Sequence, residues 1–242
     1  MGVRLVGLFC IMRCLFLIKI IFIEKRCRMA RQITLQVGTN GWEHDEWLGV
    51  FYPDDLPESW RLDYFSNAFN VVLVPQQAWL SWSQETLQTI AESVGSDFGF
   101  YFALHDAFEG GVKNEKTVLQ LNAIVSVLGA NVLGFVVWSE KAFTLPTLLQ
   151  RPVTLISTQH RLPGWSWKNE GVWLSGHPLG FVSMLPKEGK AQAKLLTEFV
   201  ESLSSVILDD SDIISVAFIV GGNSVDIQQM ANLKTIGELL GH

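Results

Sequence analysis

Residues 99–137 read GFYFALHDAFEGGVKNEKTVLQLNAIVSVLGANVLGFVV, and this stretch decides the fold class. Two short runs rich in aromatic and β-branched residues, 99–104 and 132–137, flank a segment, 115–128, of different rhythm. In that segment Val118, Leu119, Leu121, Ile124, Val125 and Leu128 recur near the 3.6-residue period. The outer runs read as strands and the inner segment as a helix with one apolar face. Strand, helix, strand in that order is the crossover that joins parallel neighbours. The strand runs show little polar alternation, as expected where helices cover one face of a sheet and a core fills the other.

The same alternation extends in both directions. Further strands are expected at 33–37, 71–74, 153–157, 171–174, 180–184 and 213–220, and further helices at 59–68, 83–94, 190–207 and 225–240. Eight strands with intervening helices predict an α/β protein, a (β/α)8 TIM-type barrel at the small end of that fold's range. Its regularity fails between strands five and seven. Residues 158–170 alternate polar and aromatic side chains without a helical stripe, and only residues 175–179 separate strands six and seven. A crossover helix needs ~10–12 residues. The barrel is therefore expected to lack one or two outer helices there, unless one of those runs is not a barrel strand.

Composition narrows the function. The chain has 242 residues, 48% of them hydrophobic and 17% charged, enough to build a large core. Its net charge of −6 hides a division, because residues 1–28 carry +5 and residues 29–242 carry −11. All three cysteines, Cys10, Cys14 and Cys27, precede residue 29. Residues 29–242, expected to form a single domain, therefore contain no thiol for disulfides, zinc or nucleophilic catalysis. Their acidity makes nucleic acid an unfavoured partner. Residues 1–28 are apolar but broken by Arg4, Arg13 and Lys19, too charged for a good spanning helix and without a signal-peptide pattern. They read as a non-domain leader: a weak membrane anchor, a targeting segment, or, the favoured reading, translated sequence upstream of a start at Met29. With that start the protein is expected in the cytoplasm, with membrane contact only if residues 1–28 are expressed.

The opening Val37-Gly-Thr-Asn-Gly-Trp42, followed by Trp47-Leu-Gly-Val-Phe-Tyr-Pro53 and Leu62-Asp-Tyr-Phe65, resembles the YecE-like family. These are bacterial TIM barrels of unassigned function. The resemblance is strong over residues 35–72 and weaker beyond about 105. It implies polar groups at strand ends that this chain replaces. A Glu-Ile-Asn-Ser-Thr-Phe-Tyr run in strand two is matched by Leu73-Val-Pro-Gln-Gln-Ala-Trp79, and a Lys after strand three by His105. A Gln-Leu-Pro-Pro run after strand four is matched by Trp138-Ser-Glu-Lys141. After strand five, Gln159-His-Arg-Leu-Pro-Gly-Trp165 keeps Arg161, Pro163 and Trp165 but has lost the family's acid. An Arg-x-His-Gly after strand seven has become Ser183-Met-Leu-Pro186. Acid–base chemistry needs titratable groups and anion binding needs fixed cations, and Leu73 and Leu185 supply neither. The expectation is a divergent member, catalytically altered or inactive, that binds a small molecule or a protein partner.

Barrel active sites lie at the C-terminal ends of strands. Candidate catalytic residues there are His105, His160 and Arg161. Candidate ligand-cleft residues are Trp42, Gln76, Trp79, Trp138, Gln159 and Trp165, whose rings and amides could hold a flat ligand. No cofactor is expected. His44, His105 and His160 could together hold a divalent metal and support a metal-assisted hydrolase or isomerase. They lack tight ligand spacing, however, and loops are where polar residues ordinarily go. The rings of Trp42, Trp47, Phe51 and Tyr52 are expected to fold their loop over the mouth.

Overall fold

The computed structural model describes residues 32–105, 115–141, 150–205, 213–222 and 225–242. The leader and Gly110-Gly111 lie outside these residues. Among the described residues nine strands form one sheet: β1 (Gln32–Asn40), β2 (Val71–Val74), β3 (Gly99–His105), β4 (Val132–Trp138), β5 (Val153–Ser157), β6 (Trp165–Asn169), β7 (Val172–Gly176), β8 (Gly180–Val182) and β9 (Ile213–Val220). Six α-helices lie among the described residues: α1 (Arg61–Ser66), α2 (Gln76–Leu80), α3 (Gln84–Glu92), α4 (Glu115–Leu128), α5 (Gly189–Ser202) and α6 (Ile227–Leu239). The strand order is β6-β7-β5-β4-β3-β2-β1-β9-β8. From β8 through β9 and β1 to β5 every pairing is parallel. Then β7 pairs antiparallel with β5, and β6 antiparallel with β7.

The sheet thus has nine strands and a reversed hairpin where eight parallel strands were expected. The extra strand is β6. Its Trp165-Ser-Trp-Lys alternation was visible in the sequence, but two-residue periodicity beside Pro163 and Gly164 reads equally as loop. The hairpin turn is Glu170-Gly171, with φ of 49° and 84° between the paired residues Asn169 and Val172. Two consecutive positive φ values match the right-handed twist of a two-residue hairpin. No helix interrupts the chain from Val153 to Val182. The short α2 was missed because five residues carry too little periodicity to register.

Strand alternation sends side chains to two cores. Phe98, just before β3, and Phe100 and Phe102 on it share one face with Phe65 of α1, Trp82 and Phe135 of β4 at ring separations of 5.0–6.4 Å. Tyr101, Ala103 and His105 therefore face the other way, into the barrel. All four residues of β2 are buried, so it is covered on both sides. Gly38 of β1 allows β2 to come close, since a β-carbon there would collide with the carbonyl of Val71. Helix α4 buries Leu121, Ile124 and Leu128 as its period requires, but Leu119 stands 67% exposed and drops out of the expected stripe. Serine and aspartate caps start two helices: Ser83 Oγ accepts the Thr86 amide at 3.0 Å, and Asp226 accepts those of Gln228 and Gln229.

The two ends of the sheet, β6 and β8, do not pair among the described residues. Side chains bridge them instead. Phe199 of α5, fully buried, lies 5.2 Å from the ring of Trp167 on β6 and 5.3 Å from that of Phe218 on β9. At the other end of the strands Trp138 of β4 meets Phe181 of β8 at 5.3 Å. The sheet is nearly closed, with packing in place of its last hydrogen bonds.

Candidate functional site

A cavity of about 380 Å³ opens where β3, β4, β5 and β8 end. His105, Trp138, Ile156 and Phe181 form its wall, and Val172, Leu174, Asn169 and Glu170 of the hairpin form its far side. Glu140, Thr158 and Ser183 complete the rim. The register explains this grouping. Ile156 pairs with Leu174 and Trp138 pairs with Ile156, so all three project from the same face of neighbouring strands.

The rings are held in set relations. His105 stacks on Trp138 with centroids 4.5 Å apart and planes 22° from parallel. Trp138 and Phe181 stand nearly perpendicular, at 84°, making a right-angled aromatic corner. The backbone N–H of His105 donates to Oε1 of Gln76 at 2.6 Å, so Gln76 fixes the end of β3.

Glu140 is the carboxylate that sequence reasoning overlooked. Its oxygens accept the Thr158 hydroxyl at 2.7 Å, the Thr158 amide at 3.0 and 3.1 Å, and the Ser157 hydroxyl at 3.1 Å. Those donors, the Thr158 hydroxyl foremost, hold its carboxyl below the ordinary carboxylate value, so it is ionised near neutrality. A signal existed: an acid two residues past the end of β4 falls at the mouth by the usual strand-end rule. Glu170 escaped notice for another reason, because the strand that carries it there was not foreseen. Among the described residues the mouth therefore holds two carboxylates that the sequence reading did not name as candidates. Leu73 is fully buried and Leu185 nearly so, and neither lines this cavity.

Of the expected catalytic residues only His105 lines this cavity. The guanidinium of Arg161 lies 4.4 Å over the ring of Trp173, which projects from the face of β7 opposite Val172 and Leu174. His160 is held by its backbone amide, which donates to Ser157 Oγ at 3.0 Å. Of the expected cleft residues only Trp138 lines it. Trp165 pairs with Gly176, at the other end of the strands, and donates its indole N–H to Ser202 Oγ at 3.0 Å. Trp79 is wholly buried and donates to the Ala103 carbonyl. Trp42 packs outside the barrel against Trp82 and Phe100, and Gln159 is exposed on the loop after β5. Trp42, Trp79 and Trp165 are thus each held by partners away from the cavity.

The metal candidates are likewise apart. His44 stacks on Trp47 at 4.1 Å, with its Nε2 3.1 Å from the Asn40 carbonyl oxygen. Among the described residues no three His, Cys, Asp or Glu side chains are grouped to hold a metal ion. The aromatic loop after β1 does not cover the mouth cavity. Trp47 stacks on Phe65 of α1 and donates to the Val225 carbonyl at 2.7 Å, and Tyr52 donates to the Trp42 carbonyl. Nearby, buried Arg61 pairs with Asp45 at 2.9 Å.

The family described as "Protein of unknown function DUF72" matches residues 36–147, the stretch that holds β2, β3 and β4 and most of β1. The fold is similar to a solved DUF72 family protein from Thermotoga maritima, with TM-score 0.52 and 14% identity over 86% of this chain and 100% of that one. It is also similar to a DUF72 family protein from Enterococcus faecalis, with TM-score 0.51 and 10% identity over 85% of this chain and 96% of that one. No curated protein matches it. The chain therefore shares the mixed α/β, barrel-like architecture of DUF72 proteins, whose function is unknown. No helix among the described residues is long and apolar enough to cross a membrane.

Proposed function

We propose that residues 29–242 form a divergent YecE-like, DUF72-type (β/α)8 barrel, with the sixth βα unit replaced by a hairpin. In this reading the protein is cytoplasmic and binds a small molecule at the barrel mouth without transforming it. The observation that carries the reading is the cavity between Trp138, Phe181 and the β6–β7 hairpin. At about 380 Å³ it falls within the ~300–1,000 Å³ usual for ligand sites, and its apolar walls and few polar rim groups are usual too. The state of its rim argues against proton-transfer chemistry. Glu140 has both oxygens engaged by Ser157 and Thr158 and is held in the charged form, so it is a poor general acid.

The test is a thermal-shift screen of small cationic, neutral and anionic compounds on the full chain, repeated with Trp138→Leu. A ligand present at 100 times its Kd stabilises by about 2.7 kcal/mol, a readily measured shift. At least one compound should raise the Tm of the parent and lose that effect in the variant. A screen with no positive compound, or shifts that persist in Trp138→Leu, would overturn the proposal.

A further inference from the structure

Charge around the mouth is sorted by sign. The charged groups lining the cavity among the described residues are Glu140 and Glu170, together with the titratable His105; no Lys or Arg lines it. The two basic side chains of the neighbouring segment sit across the hairpin. Arg161 and Lys168 lie 4.4 and 5.2 Å over the ring of Trp173, on the face of β7 that points away from the cavity. The hairpin is thus two-faced, cations outside and an acid at the cavity rim. Within the cavity, Trp138 and Phe181 form a corner with their planes 84° apart. The face of an aromatic ring is electrically negative, and rings set at right angles are the arrangement that encloses a cationic head group.

These features select among ligands. Among the described residues lining the cavity, an anion would meet two carboxylates and no fixed positive group. A neutral apolar molecule would use the corner but leave the rim carboxylates without a role. A small organic cation satisfies both parts of the lining, and the charge of −11 on residues 29–242 raises the local concentration of cations. The geometry points to a site for a small organic cation of the quaternary ammonium kind, its head in the Trp138–Phe181 corner and its charge balanced by Glu170 and Glu140. This rests on the small-molecule reading above and names the ligand class for that site.

Three probes of one shape separate the possibilities: choline, its neutral isostere 3,3-dimethylbutan-1-ol, and the anion 3,3-dimethylbutanoate. Each is titrated into the full chain by calorimetry at low ionic strength. Choline should bind at least about tenfold more tightly than the alcohol, with the anion weakest. Trp138→Leu should weaken choline about tenfold. Glu170→Gln, at an exposed hairpin tip where the fold is not at stake, should weaken choline about threefold and leave the alcohol unchanged. If the alcohol or the anion binds as tightly as choline, the cation assignment falls while the small-molecule reading stands. If choline binds but neither variant weakens it, the cation site lies elsewhere and the assignment also falls. If none of the three binds, the assignment falls again, and a positive compound in the broader screen would show that the cavity still takes a ligand of another kind.

Discussion

From β1 to β4 the sheet is built as the parallel pattern demands, with α1–α3 and α4 standing between successive strands and a ribbon of Phe side chains packed beneath them. From β5 to β8 no helix appears, and the chain turns on itself in a hairpin. The first region excludes water from its outer face with helices. The second does so with the loop at residues 158–164, in which the Leu162 amide donates to Ser175 Oγ, and with Trp173 beneath Arg161 and Lys168. The contrast teaches that barrel curvature does not require a helix at every crossover, provided bulky side chains seal the remaining gap. It also explains why the cavity lies where it does. The hairpin tip stands beside the strand ends and raises one wall of the cup.

The contrast can be broken most forcefully at Phe199. Phe199→Ala should cost about 3–5 kcal/mol, as large core truncations do, and more than Phe102→Ala in the regular region, because Phe199 also bridges the sheet ends. Denaturant unfolding measures both, and equal losses would mean that the seam has no special role. Next in size, Trp47→Phe should cost about 1–3 kcal/mol by leaving the Val225 carbonyl without its buried donor. A loss below 0.5 kcal/mol would mean that water replaces the indole.

The hairpin should respond more mildly. Gly171→Ala, at φ 84°, should destabilise by about 1 kcal/mol, whereas Glu170→Asn should raise Tm slightly, because asparagine tolerates positive φ better than glutamate. Reversed signs would show that the turn geometry is wrong.

The smallest effects near neutrality, and the most diagnostic, are those of pH. Burial lowers the pKa of His177, at the foot of the helix-free region, below 6.5. The unfolded chain then takes up the proton first, so stability held above pH 6.5 should decline as pH falls through the lower folded value. Burial pushes Tyr101, inside the regular region, up to about 12 from 10. Here the unfolded chain ionises first, so stability held below pH 10 should decline as pH rises from 10 toward 12. His177→Gln should flatten only the acid limb and Tyr101→Phe only the alkaline one. Unchanged limbs in these variants would assign the losses to other groups.

The legibility of the sequence divides along the same line. Residues 99–137 announced a strand, a helix and a strand because burial on one helical face and two strand faces leaves a periodic trace, and the helix spans the stretch expected, Glu115–Leu128. The hairpin was less legible. Its strands are five residues each, and its partners are chosen by the gap in the barrel rather than by local preference. The site was legible only at His105 and Trp138, which sit in the last positions of long parallel strands where direction follows from register. Trp42, Trp79 and Trp165 could not be placed that way. A Trp after a strand can turn to either side, and its indole N–H goes to whichever carbonyl or hydroxyl the tertiary fold brings near, as Trp79 to Ala103 and Trp165 to Ser202.

Among the described residues β6 and β8 do not pair with each other, so each presents one strand edge that no other strand covers. Such edges invite strand-by-strand stacking of one molecule on the next, the route to fibrils. The edges carry two standard safeguards. One is β8, only three residues long and a poor template, and the other is β6, which carries exposed Lys168 next to its last residue. The brevity of β8 and the charge on Lys168 therefore both oppose pairing of these edges between molecules.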